Sequence, residues 1–190
     1  SPNNMVRLNI NSETGNDNYA FQVITDLKLR ARRQPSGATV LILAAIDSDG
    51  VCGAAILSSL LTREGVKFAV EPISHMLEAR AAVFDIARAR VGQAEATRHR
   101  DVRSIVMIGC GCLEDLDGIL EESGLPGSGC NADDLVIYVF DSHRPIHLSN
   151  IYEKQNRVIV IDDDQEGSRR SPVGLLHAPR MMRTMPRTIA

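Results

Sequence analysis

The sequence predicts an α/β domain: a mostly parallel five-stranded sheet with helices on both faces, in three layers, and no complete second domain. Three observations predict it. Five short apolar runs recur along the chain: TVLILAAI (39–46), VKFAV (66–70), SIVMI (104–108), LVIYVF (135–140) and RVIVI (157–161). Segments of helical period lie between them, and strands alternating with amphipathic helices build a layered parallel sheet. The bulk numbers agree: 190 residues, 44% apolar and 24% charged, which is the composition and length of one soluble domain able to bury a core.

Residues 1–18 are polar and rich in Asn, and are expected to be flexible. The next segment, YAFQVITDLKLRARR (19–33), sets Phe21, Ile24, Leu27 and Leu29 at helical spacing and finishes in Arg, a favourable charge for a helix C-terminus. Pro35-Ser36-Gly37 breaks it. The run 39–46 has no alternation, so it reads as a strand buried on both faces. Asp49-Gly50 ends it. Residues 51–63 (VCGAAILSSLLTR) then form a helix whose small residues permit close packing on the sheet, and Gly65 stops it.

Residues 66–70 read as a shorter, half-exposed strand, with Pro72 and Ser74 opening the next turn. MLEARAAVFDIARARV (76–91) is strongly amphipathic. Polar residues 92–103 form a loop or helix extension. The strand 104–108 runs into Gly109-Cys110-Gly111-Cys112, followed by a short helix over 113–122. Three Gly and one Pro mark 123–133 as a surface loop. The strand 135–140 leads into Asp141-Ser142-His143-Arg144-Pro145 and a short helix near 148–152. The last strand, 157–161, ends in Asp162-Asp163-Asp164. The domain is placed at 19–167, with 168–190 as a tail.

Composition excludes several classes of function. No apolar run approaches the roughly 20 residues of a membrane span, so no membrane is expected, and the first residues hold no secretory h-region. The four cysteines do not make a framework: Cys110 and Cys112 stand too close for a zinc knuckle. Cys52 and Cys110, in apolar surroundings, read as buried thiols in a reducing, intracellular compartment. Charge is uneven. The net −3 divides into −8 for residues 1–167 and +5 for 168–190, where five Arg meet no acid. An acidic body argues against general binding to duplex DNA. The basic segment, with Pro172, Pro179 and Pro186, is expected to be disordered or to act as a docking tail.

In a parallel sheet, ligands bind outside the carboxyl ends of the strands. Three of the five predicted strands end in acids: Asp47 and Asp49, Asp141, and Asp162–Asp164, with His143 two residues after Asp141. Carboxylates and imidazole at one edge are a ligand set for Mn²⁺ or Mg²⁺, and two such ions about 4 Å apart activate water and clamp a phosphoryl oxygen. The plainer alternative is that an Asp at a strand end caps the following helix, Asp49 before Gly50 above all. The acids around 162–166 read either as a further ligand source or as a solvated acidic turn.

IDSDG after the first strand, the Gly-containing turn after the third and DSHRP after the fourth resemble the first three motifs of the DHH (Asp-His-His) phosphoesterase superfamily, which includes RecJ-type nucleases and manganese pyrophosphatases. VFDSHRPIHLSNIY (139–152) followed by VIVIDDDQEG is more specifically similar to the N-terminal part of the cell division control protein 45 family of replication factors. The resemblance covers residues 38–167. It implies a DHH-type, Rossmann-like three-layer fold.

The departures bear on activity. Where an active superfamily member carries an Asp bridging both metals, this chain has Gly109. Where active members have the first of two His, it has Ser142, a poor Mn²⁺ ligand beside imidazole. Asp47, Asp49, Asp141 and His143 survive as vestigial candidates. No catalytic residues and no metal or other cofactor are therefore expected, one weakly held Mg²⁺ or Mn²⁺ being the most the set could support. Arg144 either joins an internal ion pair or contacts phosphate or DNA.

The resemblance implies a non-catalytic, nuclear replication protein that joins the minichromosome maintenance helicase subunits to the GINS complex, with local contact to single-stranded DNA. The alternative is a residual metal-dependent phosphoesterase or single-strand nuclease. A third is a phosphate-binding regulator presenting N–H groups from the helix that Gly50 starts. The helix surfaces 76–91 and 113–122 are both candidate partner faces.

Overall fold

The computed structural model describes residues 7–9, 19–32, 37–92, 101–125, 134–152 and 157–162. In chain order these form β1 (Arg7–Asn9), α1 (Tyr19–Ala31), β2 (Val40–Ala45), α2 (Ser48–Arg63), β3 (Phe68–Ile73), α3 (Met76–Arg90), β4 (Ser104–Ile108), α4 (Leu116–Glu122), β5 (Val136–Phe140), α5 (Leu148–Ile151) and β6 (Val158–Asp162). The strands make one sheet in the order β1-β6-β5-β4-β2-β3, every pairing parallel. All five expected strands are present. A sixth, the three-residue β1, adds to the edge beside β6 from a stretch expected to be flexible.

Handedness explains the layers. A parallel crossover is right-handed, so connections running one way along the sheet lie on one face and those running the other way lie on the other. From β1 to β2 and from β2 to β3 the chain moves one way, carrying α1 and α2. From β3 through β4 and β5 to β6 it moves back, carrying α3, α4 and α5. The two cores match this division. Val40, Ile42 and Ala44 of β2 pack with Val23, Leu27, Leu57 and Leu61 of α1 and α2. Leu41 and Leu43 pack with Val83, Ile86, Ile119 and Leu120 of α3 and α4. Strand alternation thus fills both faces of one central strand, and each fully buried Leu or Ile contributes roughly 2 kcal/mol.

Buried polar ties fasten both faces. On the α1 side, the Tyr138 hydroxyl of β5 donates to Asp26, which also accepts from Arg30 Nε at 2.7 Å, while Arg30 Nη1 donates to the Asp134 carbonyl at 3.1 Å. On the other side, Arg157 donates to Asp117 at 2.8 Å and to the Leu125 carbonyl at 3.2 Å.

Four local expectations need correction. First, α2 begins at Ser48, three residues early, because Asp47 and not Asp49 is its N-cap. Second, β3 runs through Pro72 to Ile73. Among the described strands it pairs only with β2, and an edge strand tolerates a residue without an N–H. Third, α4 starts at Leu116 because Asp115 caps it. Fourth, Cys52 is exposed: α2 buries Gly50, Ala54, Leu57 and Leu61, and Cys52 projects about 200° around the helix from Gly50. Among the described residues no helix is long and apolar enough to cross a membrane. The predicted acids Asp163, Asp164 and Glu166, Cys130, most of 123–133 and the segment 168–190 lie outside the described residues.

Candidate functional site

Between β2 and β4 the chain departs in opposite directions, so their carboxyl ends flank the crevice where parallel sheets bind ligands. The β2–α2 turn supplies one wall. Asp47 adopts an extended backbone (φ −136°, ψ 179°), and its Oδ1 accepts the Gly50 N–H at 2.7 Å. Gly50 is required there: a Cβ would lie 2.2 Å from the Ala45 carbonyl oxygen. Without one, α2 starts in contact with the end of β2. Asp49 sits exposed in the first turn, where its charge faces the positive end of the helix.

The opposite wall is Gly109. Its backbone is left-handed (φ +68°), and its N–H donates to the Phe140 carbonyl at 2.8 Å. A Cβ built on it would lie 3.2 Å from the Ala45 Cβ and 3.7–3.8 Å from the two carboxylate oxygens of Asp47. A side chain at 109 therefore points at Asp47 across the crevice, and this chain has none.

Asp141, just after β5, is buried, its side chain only 1% exposed. Oδ2 accepts the Cys112 N–H at 3.0 Å. Oδ1 accepts the His143 N–H at 3.0 Å and meets His143 Nδ1 at 2.6 Å. The hydrogen bond to Asp141, and then its charge, raise the His143 pKa above the usual value, against a small opposing effect of burial. Ser142 and Arg144 are exposed. Arg144 folds back on its own turn, Nη1 donating to the carbonyls of His143 (3.2 Å) and Asp141 (3.4 Å). Cys110 and Cys112 are buried beneath the site. Burial first, then the Asp141 charge, pushes both thiols up to about 12, so neither is a thiolate at neutral pH.

The structure therefore brings Asp47, Gly109, Asp141 and His143 to one crevice, with Asp49, Ser142 and Arg144 around its rim. Two shallow depressions of about 210 and 230 Å³ flank it, and Gly109 and Asp141 line both. Among the described residues, no group of three or more His, Cys, Asp or Glu side chains stands ready to hold a metal ion.

Asn150 was not singled out by sequence reasoning, although it belongs to the stretch VFDSHRPIHLSNIY (139–152) that carries the resemblance. It is fully buried. Its Oδ1 accepts the Leu116 N–H at 3.1 Å and its Nδ2 donates to the Glu114 carbonyl at 2.7 Å. Nearby, Ser149 donates to the α4 cap, Asp115, at 2.5 Å, and His147 N–H donates to the Cys112 carbonyl at 2.7 Å. The Ser149 hydroxyl, followed by the Gly118 N–H, holds the Asp115 carboxyl below the usual range. Residues 141–150 are thus laced to residues 112–118 and fix the loop that carries Cys110 and Cys112.

Comparison with known proteins gives a consistent result. The family model CDC45 matches residues 40–172. The cell division control protein 45 homolog of Schizosaccharomyces pombe is 31% identical over 137 residues, which is 72% of this chain and 18% of that protein. Among solved structures, CDC45 from Entamoeba histolytica aligns with a TM-score of 0.53 at 17% identity, covering 77% of this chain and 24% of that one. RecJ from Thermus thermophilus in complex with Mn²⁺ aligns more distantly, with a TM-score of 0.45 at 16% identity, over 74% of this chain and 16% of that one. The chain spans about a fifth of the length of the curated relatives it matches.

Proposed function

Because the chain belongs to the CDC45 family, we propose that it is a non-catalytic scaffold domain of the nuclear DNA replication machinery, bridging the minichromosome maintenance helicase ring and the GINS complex. The observation that carries the non-catalytic part is Gly109: the position facing Asp47 offers no carboxylate to bridge two cations. The other candidate ligands are committed to the fold. Asp47 caps α2. Asp141 accepts from Cys112 and His143 through both of its oxygens. His143 turns Nδ1 toward Asp141 and is biased toward the protonated form, which has no lone pair for a metal. These residues do not fit a two-metal centre.

An α/β body whose candidate ligands are engaged by its own hydrogen bonds offers surfaces rather than chemistry. The acidic body limits any contact with single-stranded DNA to local patches such as Arg144. The test is a Mn²⁺-dependent digestion of a single-stranded oligonucleotide by wild type, Asp47→Ala and Gly109→Asp/Ser142→His. We expect no cleavage by wild type above the Asp47→Ala background. Wild-type turnover that vanishes in Asp47→Ala would overturn the reading in favour of a residual phosphoesterase. A pull-down of the folded domain against helicase and GINS subunits tests the scaffold itself, and failure with all of them defeats it.

A further inference from the structure

The α1–α2 face carries an apolar groove of about 230 Å³. Ile108 and Phe140, at the ends of β4 and β5, form its floor, and Val23, Ile24, Ile56 and Leu60 form its walls. Ile56 is 63% exposed, and Phe21, one turn before Ile24, is 68% exposed. Apolar surface grouped in this way marks an interaction site. The chain's own course suggests the occupant. The depression next to the groove shares Ile108 and Phe140 with it, and also includes Asp49 and Ile161. Since β6 ends one residue after Ile161, the chain leaves the sheet at the mouth of a path that runs past a carboxylate into the groove.

The sequence that follows carries the complementary chemistry in the same order. Arg169-Arg170 come first, then Val173, Leu175 and Leu176. The charges also complement, −8 on residues 1–167 against +5 on 168–190. Leu175 lies thirteen positions beyond Asp162, a span of up to about 43 Å when extended, longer than a path between two depressions that share wall residues. Tethering at that length sets an effective concentration of about millimolar, so even a weak contact is populated without a second molecule.

We propose that residues 169–176 dock on their own domain, Arg169-Arg170 beside Asp49 and Val173, Leu175 and Leu176 in the α1–α2 groove. This inference stands apart from the replication reading. It is tested in the full chain by disulfide trapping, with Cys52→Ser and Cys130→Ser as background. Ile56→Cys paired with Leu176→Cys should form an intrachain bond at a rate independent of protein concentration. That rate should be at least tenfold faster than for Lys67→Cys with Leu176→Cys, since Lys67 precedes β3 at the far end of the sheet. Equal rates overturn the proposal. Bonds that form only between chains, faster at higher protein concentration, overturn it in favour of a second copy. An independent arm compares the methyl resonances of Ile56, Leu60 and Ile108 in wild type and Leu175→Asp/Leu176→Asp. Shifts confined to the groove support docking; superimposable spectra overturn it.

Discussion

The two carboxylate turns of the crevice look alike in sequence and are unlike in structure. Asp47-Ser48-Asp49 is an exposed turn whose main task is to start a helix, and a single side-chain bond from Asp47 to Gly50 does that. Asp141 is buried to 1% of its side-chain surface and accepts from Cys112 N–H and from two nitrogens of His143. A carboxylate buried with its hydrogen bonds complete is costly to disturb, whereas an exposed cap is replaceable by water. Both turns therefore serve the fold, but at very different cost if disturbed.

The sharpest way to break this comparison is Asp141→Ala. It strands a buried Cys112 N–H and releases His143, and we expect a loss of about 3 kcal/mol in stability, read as the urea midpoint or the Tm. A loss below about 1 kcal/mol would show that water replaces the carboxylate and that the two turns are equivalent after all. Asn150→Ala should come next, at about 1.5 kcal/mol, because it removes both side-chain bonds from the Leu116 N–H and the Glu114 carbonyl and leaves them only their bond to each other at 3.0 Å. Asn150→Asp separates the two halves of that bond: it keeps the acceptor for Leu116 and removes the donor to Glu114. An Asn150→Ala variant as stable as wild type would exclude Asn150 as the clamp on the α4 loop.

Within the exposed turn, Asp47→Ala should cost about 1 kcal/mol as a lost N-cap. Asp49→Ala should stay within about 0.5 kcal/mol, as a lost helix-end charge does. Thermal denaturation of the two variants side by side decides the assignment, and the reverse ranking would return the cap to Asp49.

That assignment is also where sequence reading stopped short. The strands were legible because burial on both faces leaves uninterrupted apolar runs such as VLILAA, and a layered, mostly parallel sheet follows from strands alternating with helices; the strand order was not legible. The apposition of residue 109 with Asp47 was legible through the motif resemblance. Which Asp caps α2 was not, since it depends on the backbone angles of Asp47, and both residues are good caps. Cys52 looked apolar by its neighbours but sits on the outward side of a helix whose phase is set by Gly50 and Ala54. Three-residue β1 carries too little pattern to register, because its pairing is supplied by the free edge of β6. Asn150 bonds to main-chain groups 34 and 36 residues away, a relation that no local spacing encodes.

The smallest effect, and the one that probes the buried turn most gently, is the titration of His143. Its partner Asp141 is buried, but the imidazole is 58% exposed, so solvent screens the pair and its contribution is modest. The folded pKa lies above the ordinary value, first through the hydrogen bond to Asp141 and then through its charge. The stabilisation is therefore complete below about pH 6.5, where the unfolded chain's imidazole is also protonated. It is lost as pH rises through the folded pKa. The difference in stability between wild type and His143→Ala should accordingly shrink from pH 6 toward pH 9. The His143 ring resonance should titrate above 6.5 in wild type and return toward 6.5 in Asp141→Asn, which keeps the shape of the turn and removes the charge. A His143 midpoint at or below 6.5 in the wild-type protein would mean that Asp141 holds a neutral imidazole, and the crevice would then present a free Nε2 lone pair to a cation.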